Sequence, residues 1–332
     1  MASNPQSKSV HGISRRTLLK GFGISAGALA AGFAPRPLVA RAQSTGTSAA
    51  VAGLSRFSVG DIAVTIIQDA GFFQPFSPTF LGINASLADI TAIAEANNLP
   101  VGVLYGGFNI VLLEIGEQRV LLDTGNGIAS QADGGGKLFP TLELLGITPE
   151  DINAIIFSHY HPDHINGAVN EGALVFPNAV HHFPQPEYDF LRNATNIPAD
   201  FQPLVDAANS LLDMAEATEQ LSLFAADGEV ISGVTAIPTP GHTPGHVAML
   251  VSSGDAQLLN TFDAAITSVY SVERPDFVFG YDADPQLAVE SRMSVLGRAA
   301  DEGIQLLGYH FPFPGVGYIV REGDGFEFVA AV

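Results

Sequence analysis

Ile152-Asn153-Ala154-Ile155-Ile156-Phe157-Ser158-His159-Tyr160-His161-Pro162-Asp163-His164 is the stretch on which the fold turns. Its first half is an apolar run broken only by Asn153, the pattern of a buried strand. In open α/β sheets, ligand sites lie at the carboxyl ends of such strands. Here four metal-capable side chains follow within six positions: His159, His161, Asp163 and His164. The alternating His-x-His lets two imidazoles converge where a strand breaks into a loop. Pro162 stiffens the turn, and the Asp-His pair behind it can address a second ion. A satisfied surface turn has no need of four such groups directly behind a buried strand, so the segment reads as a metal site.

The flanking sequence supplies the rest of an α/β architecture. Phe57 to Gln68 alternates as a strand pair about Gly60-Asp61. Phe108 to Ile115 and Arg119 to Asp123 flank Gly116-Glu117-Gln118 as a hairpin, and Asp123-Thr124-Gly125-Asn126-Gly127 ends its second strand in a glycine-rich loop. Lys137 to Leu145 predicts a helix stopped at Gly146. Another strand ends near His181-His182, two neighbours that face opposite ways and read as structural. Phe201 to Leu223 predicts one or two amphipathic helices, with Leu204, Ala207, Leu211, Leu212 and Ala215 at helical spacing. Val230 to Ile237, Val247 to Ser252 and Ala256 to Asn260 read as strands. Asp284-Pro285 opens a helix to about Ala300, with Asp as N-cap and Pro in the first turn. Ile304 to Tyr309 and Gly317 to Val329 close the chain as strands. Strands and helices alternate in two halves with no repeat and no linker, which predicts one α/β sandwich over residues 55–332.

Composition narrows the chemistry. The 332 residues hold 14 Lys and Arg against 34 Asp and Glu, a net charge of −20. The first 42 residues carry Lys8, Arg15, Arg16, Lys20, Arg36 and Arg41 without a carboxylate, so the remainder stands at about −26. Such a surface repels phosphate backbones and anionic lipid, which argues against nucleic-acid binding and membrane-surface roles. With no Cys there are no disulfides, no thiolate ligands, no iron–sulfur cluster and no Cys nucleophile. Any metal must sit on His, carboxylate and water. Ser14-Arg15-Arg16-Thr17-Leu18-Leu19-Lys20 resembles the twin-arginine export motif. The Gly/Ala/Ser-rich stretch behind it, Gly21 to Ala34, is too short and mild for a span, which needs about 20 apolar residues. Ala40-Arg41-Ala42 offers a small-x-small cleavage site. Residues 1–42 are therefore expected to be a twin-arginine signal peptide, residues 43–54 a flexible lead-in, and the mature protein periplasmic or exported.

His159-x-His161-x-Asp163-His164 resembles the metal motif of the metallo-β-lactamase superfamily, and later segments fall in that family's order. Thr239-Pro240-Gly241-His242-Thr243-Pro244-Gly245-His246 is similar to its third-histidine segment. Asn260-Thr261-Phe262-Asp263 ends a strand where the family places a bridging carboxylate, with Phe262 where glycine is usual. Gly308-Tyr309-His310 supplies the last histidine. Asp282-Ala283-Asp284, Arg292, Ala299-Ala300 and the run from His310 to Gly317 look most like methyl parathion hydrolase and its relatives.

The resemblance implies a four-layer αββα sandwich holding two divalent ions, zinc foremost, with manganese, iron or cobalt as alternatives. One ion would take His159, His161 and His242, the other Asp163, His164 and His310, with Asp263 bridging. Asp163 and Asp263 would then work beside a metal-bridging hydroxide that attacks a neutral lactone, aryl ester or phosphotriester. The family contains other chemistries. A glyoxalase II-like thioesterase keeps all seven ligands but uses a basic C-terminal cluster that is missing here. The all-histidine β-lactamases lack the bridging Asp. Quorum-quenching lactonases usually show Tyr three residues past that Asp, where this chain has Ile266. A mononuclear iron sulfur dioxygenase is the alternative of a different class, and a homodimer is implied by relatives. Asp123 either orients a ligand imidazole or simply forms a turn. Phe72, Phe73, Phe76 and Phe80 either wall a substrate pocket or pack in the core. His246 reads as a structural hydrogen-bonding residue.

Overall fold

Strand β12 (Val247–Ser253) shows how the layers arise, because both of its faces are apolar. Val247, Met249 and Val251 point into the main core, while Ala248 and Leu250 point into a second cluster with a helix. A strand with two buried faces needs a layer on each side. The result is a four-layer αββα sandwich, as expected. The computed structural model describes residues 53–77, 79–195 and 197–331. The twin-arginine segment and the lead-in lie outside the described residues, except that Gly53 and Leu54 are described and Leu54 already opens the first strand.

The first half comprises β1 (Leu54–Val59), β2 (Ile62–Pro75), α1 (Leu87–Ala96), β3 (Val103–Ile115), β4 (Gln118–Leu122), α2 (Leu138–Leu144), β5 (Ala154–Ile156) and α3 (Pro162–Ile165). It continues through a small ribbon, β6 (Val169–Asn170) and β7 (Ala173–Leu174), to β8 (Val180–Pro184), α4 (Gln185–Asn193), α5 (Gln202–Ala217) and β9 (Leu221–Phe224). Its seven-stranded sheet runs β1-β2-β3-β4-β5-β8-β9, antiparallel through β4 and parallel from there to β9. The second half adds β10 (Gly228–Ile231), β11 (Val234–Pro238), β12, β13 (Ala256–Asn260), α6 (Tyr270–Glu273), α7 (Pro285–Glu302), β14 (Gln305–Leu307), β15 (Val316–Glu322) and β16 (Gly325–Ala330). These strands form the other seven-stranded sheet in sequence order, with β13 and β14 parallel.

The main core lies between the sheets, joining Val64, Ile66, Val111 and Leu121 to Val234, Met249, Leu258 and Leu307. Outside the second sheet, α7 packs Val295, Leu296 and Ala299 onto Leu250, Leu259, Leu306 and Ile319. That helix begins as its sequence predicts. Asp284 accepts from the Leu287 amide at 3.1 Å, Pro285 fills the first turn, and Gly303 ends it in a left-handed turn at φ 66°.

Three sequence expectations need correction. Val230 to Ile237 is not one strand but the hairpin β10–β11, turned at Gly233, whose φ of 84° suits glycine. The helical stretch from Phe201 ends at Ala217, and Leu221–Phe224 instead pairs with β8 as an edge strand. The buried stripe of α5 is Val205, Ala208, Leu211, Leu212 and Ala215, with half-buried Leu204 packed against the same core, so only Ala207 lies off it. Pairing across the sheet overrode local helical spacing at 221–224. Finally, Gly317 to Val329 is likewise a hairpin, β15–β16, turned at Gly323, whereas β8 carries both His181 and His182 and ends close to them at Pro184, as expected.

Candidate metal centre

Four chain crossings meet at one edge of the sandwich. β5 delivers His159 and the short helix α3, with His161 as its N-cap residue. The loop from β11 to β12 carries His242, a 3₁₀ turn after β13 carries Asp263, and the loop after β14 carries His310. The donor atoms fall into two groups, each with all its members within 4.8 Å of one another: His159, His161, His242 and Asp263, then Asp163, His164 and His310. Asp263 reaches both. Its Oδ2 lies 3.2 Å from His242 Nε2, and its Oδ1 lies 3.2 Å from His164 Nε2 and from His310 Nε2.

The outer nitrogens are held by the protein, which turns the inner ones toward a common point. Asp123 accepts from His164 Nδ1 at 2.7 Å, from the Ser158 amide at 2.8 Å and from the Ser158 hydroxyl at 2.7 Å. Ser158 Oγ in turn accepts from His159 Nδ1 at 2.9 Å. His310 Nδ1 donates to Gly107 O at 3.2 Å, and His242 Nδ1 donates to Asp282 at 3.1 Å. His159 Nε2, His164 Nε2 and Asp263 Oδ1 are buried and have no hydrogen-bond partner. Each such atom costs about 1–3 kcal/mol unless something satisfies it. Three orphans converging with three further imidazoles, His161, His242 and His310, and a second carboxylate, Asp163, fit a pair of divalent cations.

Charge points the same way. Burial, helped by neighbouring imidazoles, holds His159 and His161 well below the usual histidine range, leaving neutral rings with free lone pairs. Burial also works against a charged His164 and His242, but there the carboxylates prevail. Asp263, Asp163 and Asp123 push His164 well up, and Asp263 with Asp282 pushes His242 up to about 9. The cluster therefore attracts positive charge.

Residues 106–298 match the family model of the Metallo-beta-lactamase superfamily, more than half of the chain. The chain belongs to the metallo-β-lactamase superfamily. An N-acyl homoserine lactonase of Bacillus cereus is 26% identical over 160 residues, which make up 47% of this chain and 56% of that protein. The chain thus spans little more than half the length of that curated relative. Among solved structures, AidC, a dizinc quorum-quenching lactonase in complex with a product, is 28% identical with a TM-score of 0.79, covering 84% of this chain and 98% of that one. The hydrolase AbOPH of the beta lactamase superfamily is 25% identical with a TM-score of 0.76, covering 85% and 98%.

Within this superfamily fold, the four phenylalanines separate. Phe72 packs edge-on to His310, 6.1 Å between ring centroids, and so borders the centre. Phe73, on the other face of β2, is 71% exposed. Phe76 and Phe80, together with Phe72, pack against a small cluster with Ile266, Tyr270 and Phe279. His246 stands outside both donor groups. It donates to Thr239 Oγ1 at 2.8 Å and accepts from the Asp263 amide at 3.2 Å, and burial pushes it down to about 3, so it stays neutral. Several supporting residues escaped the sequence reading. Buried Glu187 accepts from the Gly245 amide at 2.6 Å and the Tyr160 amide at 3.2 Å, tying two donor-bearing loops together. Tyr309 donates to Asp163 O at 2.6 Å. Asp69 accepts from the amides of Asn126 and Leu138, both at 2.9 Å, and shapes the glycine-rich loop. None of these has a local motif; each works across long sequence separation.

Proposed function

We propose that this chain is a metal-dependent hydrolase of neutral esters, with lactones as its first substrate class and zinc as the metal in both sites. The observation that carries the reading is Asp263, one carboxylate facing two histidine-rich donor groups that leave buried atoms unpaired. The likeness to AidC over nearly that protein's full length supports lactones. Two divalent cations, when bound, supply Lewis acidity and bring water ionisation near neutral pH.

The chain's own residues do the rest. His159, His161 and His242 would hold one ion, Asp163, His164 and His310 the other, with Asp263 common to both. Asp123 and Ser158 keep His159 and His164 in the tautomer whose Nε2 faces inward. Asp163 is the donor side chain with most access to solvent, 25% exposed. An acidic protein imposes no long-range repulsion on a neutral ester. Aryl esters and phosphotriesters share that neutrality and complete the substrate set. The motif at Ser14–Lys20 and the site at Ala40-Arg41-Ala42 support export of the mature chain to the periplasm.

The test is a panel on the zinc-loaded full chain: an acyl homoserine lactone, an aryl ester, a phosphotriester, a β-lactam and a glutathione thioester, with metal analysis alongside. The expected result is two zinc ions per chain and highest kcat/KM on the lactone, with activity lost to chelator and returned by zinc. A single iron per chain, or no turnover of any ester at full zinc occupancy, overturns the reading.

A further inference from the structure

Arg292 is an unusual residue to find where it is: a guanidinium with no solvent exposure, on the inner face of α7. A buried cation survives only when its donors are matched. Here Nε donates to Ala264 O at 2.9 Å, and one terminal nitrogen donates to Pro275 O at 3.0 Å and Phe277 O at 2.7 Å. The other terminal nitrogen meets Asp282 Oδ2 at 3.3 Å, and the group lies 4.7 Å from the centre of the Phe279 ring. Asp282 is itself buried. Its other oxygen, Oδ1, accepts from His242 Nδ1 at 3.1 Å. Ala264 is the residue after Asp263. One side chain thus reaches both groups that the second half of the chain contributes to the first donor set.

The surrounding backbone is arranged to the same end. The Ala283 amide donates to His242 O at 3.1 Å, the Asp284 amide to Gly241 O at 2.8 Å, and Ser291 Oγ to Pro240 O at 2.6 Å. A Cβ at Gly241 would collide with the backbone of Ala288. The start of α7 is therefore pressed directly against the His242 loop.

We propose that Arg292 and Asp282 form a buried clasp that positions His242 and Asp263 for metal binding, with Arg292 a positioning residue rather than a catalytic one. The inference rests on the metal-site reading above. Asp282 fixes the His242 tautomer and ring plane, so that Nε2 faces inward. Arg292 supplies the charge that makes a buried Asp282 tolerable and anchors the peptide following Asp263. Lysine could supply the charge, but not a planar fork reaching four separate acceptors.

The experiment compares the full chain with Arg292→Met, Arg292→Lys and Asp282→Asn. Zinc affinity is measured by chelator competition, cobalt-loaded protein is read by its visible spectrum, and circular dichroism monitors the fold. Loss of a hydrogen-bonding partner behind a ligand typically weakens metal binding by about 10–100-fold. The expectation is a drop of that size for at least one zinc in Arg292→Met and Asp282→Asn, a changed cobalt spectrum, and no full rescue by Arg292→Lys. If Arg292→Met does not fold, the closer mimic Asp282→Asn carries the test. Folded variants that bind two zinc ions with parental affinity and spectrum overturn the clasp, even if they melt earlier. A parent chain that takes up no divalent metal overturns the metal-site reading instead, and the clasp with it.

Discussion

Phe262 shows how one residue weighs strain against packing. It stands where the family usually has glycine, and its φ of +44° is left-handed. That conformation costs a residue with a Cβ about 1–2 kcal/mol. Its ring is fully buried, 6.2 Å from Tyr309 and 6.5 Å from His164 between centroids. Removing such a ring from a core costs about 3–5 kcal/mol. Packing is the larger quantity, so Phe262→Gly should lower stability by about 1–4 kcal/mol although it relieves the backbone. Urea unfolding of the zinc-loaded proteins checks this, and an unchanged or raised midpoint would show that strain dominates. Legibility at this scale followed sequence distance. His159, His161, Asp163 and His164 announce themselves because they are crowded into six positions behind a strand. His242, Asp263 and His310 were assigned only through resemblance. Ser158, Asp282 and Arg292 stand in segments quoted for the motif or the resemblance and Glu187 in none, yet none of the four shows its role there, since a lone carboxylate, hydroxyl or guanidinium acquires its role only from partners that folding brings near.

At the scale of elements, β8 holds a histidine that cannot retreat to water. The strand is paired on both sides, with β5 and with β9, so it has no free edge. His181 is buried from it, stacked on Phe157 at 6.1 Å, and neither ring nitrogen has a partner. Burial pushes its pKa down to about 4 from an ordinary 6.5. The folded protein thus binds this proton less readily than the unfolded chain does. The associated stability is complete above pH 6.5 and lost as pH falls through 4, amounting to about 3 kcal/mol. His181→Leu should therefore lose less stability than the parent between pH 7 and pH 4, by up to that amount. Urea midpoints for both proteins at pH 7, 5.5 and 4 give the comparison, in which protonation of the metal-binding groups cancels. Parallel profiles would count against a ring held neutral by β8. Elements were legible where turn chemistry spoke clearly, as at Gly60-Asp61, Gly116-Glu117 and Asp284-Pro285. They were misread where one hydrophobic stretch concealed the Ser232-Gly233 turn, and where Leu221–Phe224 continued a helical spacing while pairing as a strand.

On the scale of the whole molecule, neither half contains a complete donor set. His159, His161, Asp163 and His164 follow a strand of the first sheet, whereas His242, Asp263 and His310 follow strands of the second. Each donor group mixes the two. An ion in either group therefore ties the halves together, and its binding energy becomes folding energy. Without ions the protein must bury unpaired donors in a body already carrying a net charge of −20. Free zinc at a hundredfold over the dissociation constant stabilises by about 2.7 kcal/mol per site. At roughly 2–4 °C per kcal/mol for a chain approaching this size, two sites should raise the melting temperature by about 10 °C or more. Differential scanning calorimetry of chelated and zinc-restored protein should show that difference. Magnesium should not reproduce it, because that ion prefers octahedral oxygen ligands to imidazole. If chelated and zinc-loaded protein melt together, the donors do not join the two halves through metal.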